Sequence, residues 1–157
     1  GLKGFNNDFF RKHVGGSLEP VLETLKLIHA AGRHLEIVTL LVPTLNDQAE
    51  AIKAEIDWIK ANLGVSVPLH FTRFNPQYRL MQVPPTPASI LDKARKEAIN
   101  AGLQYVYTGN LPGHEGNHTY CPKCGRLVVE RLSFKVLNNN HEDGKCLNCG
   151  FRLPGKW

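Results

Sequence analysis

All four cysteines of this 157-residue chain fall in two hooks, YCPKCG at 120–125 and KCLNCG at 145–150. A C-x2-C step followed by glycine makes a tight turn whose backbone amides can point at the sulfurs, and two such turns supply four ligands for a tetrahedral ion. Cys121, Cys124, Cys146 and Cys149 therefore read as a metal site, with zinc ahead of a rubredoxin-like iron and disulfides last. Four thiolates saturate tetrahedral zinc and leave no position for water or substrate, so the ion reads as a structural clasp. His118 and His141 flank the hooks but are superfluous once four sulfurs are counted. Between Cys124 and Cys146 the stretch RLVVERLSFKVLN holds two β-rich runs, which predicts a hairpin joining the hooks, as in a zinc ribbon. A segment this short with few large apolar side chains needs such a metal to hold a fold.

A second candidate lies inside an apolar run. In VPLHFTRF (67–74), alternation puts His70, Thr72 and Phe74 on one face and Leu69, Phe71 and Arg73 on the other. Two readings of His70 stand side by side: a group lining a site, and a hydrogen-bonded core histidine.

Alternating strand and helix patterns must position these residues. LEIVTLLV (35–42) and VPLHFTRF are β-branched and largely apolar, as expected of strands covered on both faces, and LQYVYT (103–108) is a third; their starts lie 32 and 36 residues apart. Helical stripes run between and before them: Leu18, Leu22, Leu25 and Ile28 or His29; Ile52, Ile56, Ile59 and Leu63; Ile90, Leu91, Ala94 and Ala98. Ser17, Asn46 or Asp47, and Thr86 are the expected N-caps, with Gly32, Gly64 and Gly102 as stops. The pattern predicts an α/β array with a parallel sheet and right-handed crossovers. Ligands then belong on the loops beyond the strand ends, at 43–47, 75–86 (with Asn75, Tyr78 and Arg79) and 109–118. So small a sheet leaves a bare edge at 35–42 or at the remnant 1–5, which predicts self-association or a missing N-terminal neighbour.

Composition narrows the classes. With 42% hydrophobic residues the chain can bury one core and a small appendage. There is no run of eighteen apolar residues and no signal-peptide pattern, so membrane insertion and secretion are not signalled and a reduced, cytoplasmic setting is expected. Residues 1–117 carry 12 Lys and Arg against 11 Asp and Glu, while residues 118–157 carry 7 against 3. That basic tail admits a rival reading, a non-enzymatic zinc-ribbon module that binds RNA or a protein through Arg126, Arg131 and Lys135; without interleaved exposed aromatics, nucleic acid is the weaker partner.

The stretches LKGF, LLVPTLND, VPLHFTRFNPQYRL, PPTP, YVYTGNLPGHEGNHTYCPKCG and LPGKW together resemble the C-terminal half of the AmmeMemoRadiSam system radical SAM enzymes, relatives of the pyruvate formate-lyase activating enzymes. The resemblance runs from residue 2 to residue 157. It implies the C-terminal part of a partial (β/α)6 radical SAM barrel over residues 1–112 and a zinc ribbon over 113–157. It also implies a parent enzyme that uses a [4Fe-4S] cluster and S-adenosylmethionine to make a 5′-deoxyadenosyl radical, with an activase-like protein substrate or a Memo-like protein as associate. The family's cluster loop is C-x3-C-x2-C, and the four cysteines here cannot supply it. By this resemblance the chain alone should be inactive, the cluster belonging to an N-terminal half. LK at 2–3 is similar to the end of a D-x-K strand motif, which marks Lys3, with Gly1 standing where the family has Asp. VPTLND is similar to a V-P-G-x-x-D turn with Thr44 in place of glycine, so Val42, Asn46 and Asp47 would border the cofactor. His70 is similar to a barrel-facing histidine.

Overall fold

The computed structural model describes residues 1–155 and Trp157. Strands β1 (Ile37–Leu41), β2 (Leu69–Arg73) and β3 (Val106–Gly109) form a parallel sheet in that order. In register, Val38 pairs with His70 and His70 with Tyr107, while Leu40, Thr72 and Gly109 make the next row. After a short helical turn α1 (Asn7–Phe9), the helices are α2 (Leu18–Ala30), α3 (Ala49–Leu63) and α4 (Ala88–Asn100).

The sheet has two unlike faces. Ile37, Leu41, Leu69, Phe71 and Val106 are buried and share a core with Ile52, Ile56, Ile59, Leu63, Leu91, Ala94 and Ala98 of α3 and α4. That is the stripe arrangement expected from a 3.6-residue period packed on a 2-residue one. On the opposite face Val38 is 39% exposed, and Leu40, His70, Thr72 and Tyr107 are half-buried. Gly109 belongs to that face because a Cβ there would lie 2.6 Å from the Thr72 methyl.

The helix starts differ from the expected caps. Ser17 makes no side-chain cap bond; the Asn7 carboxamide oxygen accepts from Leu18 N instead. α3 begins after Gln48 because Asn46 and Asp47 are engaged in the preceding turn. Thr86 is fully buried and acts as a tie: its hydroxyl donates to Leu41 O at 2.6 Å and accepts from Phe74 N at 3.0 Å, joining the ends of β1 and β2 ahead of α4.

β1 is a sheet edge, as expected. The remnant 1–5 forms no strand, yet Leu2 N donates to Val38 O at 2.8 Å, so the first residues run along that edge.

The ribbon follows β3. β4 (Thr119–Tyr120), β5 (Leu127–Leu132) and β6 (Lys135–Asn139) form an antiparallel sheet, and β7 (His141–Glu142) pairs with β8 (Lys145–Cys146). The β5–β6 hairpin is the predicted one. Its small core of Cys121, Val128, Val129, Cys146 and Leu153 also takes Tyr105 and Tyr107 from the segment around β3, so ribbon and sheet share side chains across residue 112. Among the described residues no helix is long and apolar enough to cross a membrane.

Candidate metal centre and the cleft beside it

The two hooks are conformational copies. Gly125 N donates to Cys121 O and Gly150 N to Cys146 O, both at 2.8 Å, with the glycines at φ 70° and 69°, a left-handed conformation that only glycine adopts without strain. Each turn is closed by a second pair, Cys121 N to Arg126 O at 2.8 Å and Cys146 N to Phe151 O at 2.9 Å. The four sulfurs lie within 4.8 Å of one another, with Cys121–Cys149 at 3.6 Å and Cys124–Cys146 at 3.8 Å. A tetrahedron with metal–sulfur bonds of about 2.3 Å has edges of about 3.8 Å, so the spacing fits zinc or another tetrahedral thiolate metal. The Arg126 N–H aimed at Cys124 draws that thiol down to about 6. The Phe151 N–H pulls Cys149 the same way, but burial and the three other thiols outweigh it and leave that group raised, at about 12. Four sulfurs this close cannot all ionise without a cation among them. His118 and His141 stand outside the cluster: His118 Nδ1 accepts from Arg131 N, and the His141 ring packs 4.3 Å from Trp157.

The segment GNLPGHEGNHT fastens ribbon to sheet, residue by residue. His114 Nε2 meets Asp92 at 2.8 Å while its Nδ1 lies 3.0 Å from both the Thr108 hydroxyl and Gly116 N. Glu115 pairs with the nearly buried Arg95, the Asn117 amide donates to Thr108 O, and the Thr119 hydroxyl bonds both Tyr107 and Arg131. A Cβ on Gly116 would lie 2.6 Å from the Thr108 hydroxyl, so glycine is required where this loop crosses β3.

The residues marked by resemblance fall in two places. Val42, Asn46, Asp47 and Lys3 gather beyond the C-terminal end of β1. Asn46 is buried; its side-chain oxygen accepts from Val42 N at 2.6 Å and its amide donates to Lys3 O at 2.6 Å and Leu40 O at 2.8 Å. The carboxamide thus continues the ladder between β1 and the first residues where Lys3, at φ 71°, turns away. Asp47 accepts from Thr44 N at 2.8 Å and holds Thr44 at φ 67°, the left-handed conformation in which glycine is at home. His70 lies elsewhere, paired with Val38 four residues before Val42, or roughly 13 Å along the strand. Tyr78 and Arg79 stack on each other in solvent, and Asn75 joins the His70 cleft.

That cleft, of about 610 Å³, lies between the open sheet face and the β5–β6 hairpin. His70 Nε2 bonds Glu36 Oε2 at 2.7 Å, and its ring stacks on Tyr107 at 4.9 Å. The second Glu36 oxygen meets His34 Nε2 at 2.9 Å. Burial raises the Glu36 carboxyl, yet the His34 and His70 hydrogen bonds outweigh it and leave the group lowered. Arg131 reaches in from β5, its guanidinium 6.0 Å from the Tyr107 ring centre, and Phe134 stands fully exposed at the hairpin tip. Glu36 gave no signal in the sequence, since it precedes its strand and meets a partner 34 residues away.

No family model matches the chain. It is 47% identical over 154 residues to the uncharacterized protein MJ0808 of Methanocaldococcus jannaschii, across 97% of this chain and 46% of that protein. The chain thus spans about half the length of the curated relative it matches.

Proposed function

We propose that the chain is the later portion of a radical S-adenosylmethionine enzyme, with its four-cysteine ribbon holding a structural zinc. The observation that carries the reading is the one-sided parallel sheet: helices pack on one face, and rows of His70 with Tyr107 and Thr72 with Gly109 lie on the uncovered one. A polar, half-exposed face on a parallel sheet is unusual unless it lines an interior. The turn after β1 adds support, because Thr44 occupies a left-handed position where the resembling motif has glycine. When bound, the cluster and S-adenosylmethionine supply a 5′-deoxyadenosyl radical for hydrogen abstraction. The chain's own residues would shape the surroundings. Asn46 braces Lys3 and Val42, Asp47 fixes the turn, and His70 faces the interior under the hold of Glu36. The cluster ligands would come from chain outside this sequence, which would also cover the β1 edge.

The test uses the longer protein, reconstituted anaerobically with iron and sulfide and supplied with S-adenosylmethionine and a reductant. Release of 5′-deoxyadenosine is expected. An absence of cluster absorbance and of 5′-deoxyadenosine, or a coding region ahead of Gly1 without C-x3-C-x2-C, sinks the proposal.

A further inference from the structure

We propose that the cleft between the open sheet face and the ribbon is a binding site for a small oxyanion-bearing molecule, and that ribbon Arg131 is the residue that grips it. Arg131 is half-buried and has no carboxylate partner among the described residues. One guanidinium nitrogen, Nη1, donates to the Thr119 hydroxyl at 2.7 Å and reaches Asn117 O at 3.4 Å, which fixes the planar group beside Tyr107. Its Nε and Nη2 make no hydrogen bond among the described residues, so two donors of the fork remain for a ligand. An arginine held this way is pre-organised for carboxylate or phosphoryl oxygens. The cleft contains one acid, Glu36, and both of its oxygens are taken by His34 and His70. Neither Glu36 oxygen is therefore left to occupy the free edge of Arg131. Phe134 at the lip and Tyr107 on the floor provide apolar and aromatic area for the rest of the molecule.

The zinc clasp gains a purpose from this arrangement. It holds β5, and with it Arg131, against a sheet face that has no basic residue of its own beyond His70. That the bound anion is the parent enzyme's substrate rests on the radical-enzyme reading; that the cleft takes an anion does not.

The experiment titrates the zinc-loaded chain, labelled with 15N, with phenyl phosphate, benzoate and the neutral benzyl alcohol, following the Arg131 Nε–Hε and Tyr107 amide signals. Saturable shifts are expected with at least one anion, the phosphate and carboxylate arms telling which oxyanion is preferred, and no comparable effect with the alcohol. Arg131→Gln should weaken binding about tenfold or more and Arg131→Lys less, because the fork is lost while the charge stays. Arg131 also braces Thr119, so Ser133→Asp serves as a second variant: it adds a repelling charge at the lip, at a position (φ 53°) that aspartate tolerates. No saturable shift into the tens of millimolar, shifts that map to Arg33 or Lys3, or affinity unchanged in Arg131→Gln and Ser133→Asp would overturn the proposal. None of these readouts involves a cluster, so its failure is separable from failure of the deoxyadenosine test.

Discussion

The sheet unit and the ribbon solve the same problem by different means. The first buries a continuous set of large side chains, including Phe71, Leu69, Leu41, Ile59 and Leu91 at 0% exposure, under two amphipathic helices. The second has a core of six buried residues, two of them cysteines of the candidate metal site and one a tyrosine borrowed from the sheet side, while every residue of β6 is exposed. Hydrophobic burial can hold the sheet unit, whereas the ribbon has only a four-cysteine group able to take a metal ion and the loop that fastens it. The difference also divides the labour: the larger unit offers the half-exposed sheet face, and the four-cysteine one brings an arginine to it.

Removal of the proposed zinc is the sharpest way to break that contrast, since binding to structural zinc sites is worth about 10–16 kcal/mol. Chelation, or Cys149→Ser, should abolish amide exchange protection at Val128 and Val129 while leaving Leu69 and Phe71 protected. Loss of protection in both regions together would show that the shared Tyr105 and Tyr107 make one cooperative unit. Next in size are two phenylalanines. Phe71→Ala should cost about 3–5 kcal/mol by denaturant unfolding, because a fully buried ring leaves a cavity. Phe134→Ala should stay within about 0.5 kcal/mol, its ring being wholly exposed. Similar costs for the two would erase the distinction drawn between the cores.

A pH series read at amides of the sheet unit probes that unit separately from the thiolate site. Glu55 on α3 is buried and accepts a hydrogen bond from the Thr39 hydroxyl of β1, and burial pushes its carboxyl from 4.5 up to about 7. The folded state thus holds a proton that the unfolded chain releases at lower pH. Its contribution is complete below pH 4.5 and is lost as the pH rises through about 7, a change of order 3 kcal/mol. The opening free energy read from exchange of the Leu69 and Phe71 amides, corrected for intrinsic rates, should fall across that window, and Glu55→Gln should flatten the fall. A flat wild-type profile would mean that Glu55 is solvated despite its burial.

Much of this division was legible in the sequence. The stripe Ile52, Ile56, Ile59 and Leu63 marks a core face by period alone, and the C-x2-C spacing marks the clasp. What could not be read was which polar side chains the tertiary structure would claim. Asn46 and Thr86 have the chemistry of caps, yet each sits where two strand ends and a turn leave backbone groups unpaired, and those groups win the side chain. Glu36 and Arg131 meet at the cleft only because parallel pairing and the GHEGNHT loop bring distant segments together. The open sheet face was the least legible of all, since an apolar run such as IVTLL reads as covered on both sides.

The smallest test concerns how each region treats left-handed backbone. In the knuckles these positions go to Gly125 and Gly150, at no steric cost, whereas the turn after β1 places the β-branched Thr44 at φ 67°. Holding Thr44 there costs roughly 1–2 kcal/mol, and Asp47 sustains it through the Thr44 N–H. Thr44→Gly keeps that hydrogen bond and removes the strain, but the freer unfolded chain returns up to about 1 kcal/mol of the gain. A net stabilisation of about 0.5–1 kcal/mol is therefore expected by thermal unfolding, against a loss of about 1 kcal/mol for Gly125→Ala, where the added Cβ must enter the left-handed region. The opposite signs are the point. If Thr44→Gly destabilises instead, the threonine hydroxyl or methyl contributes something that the turn geometry does not contain.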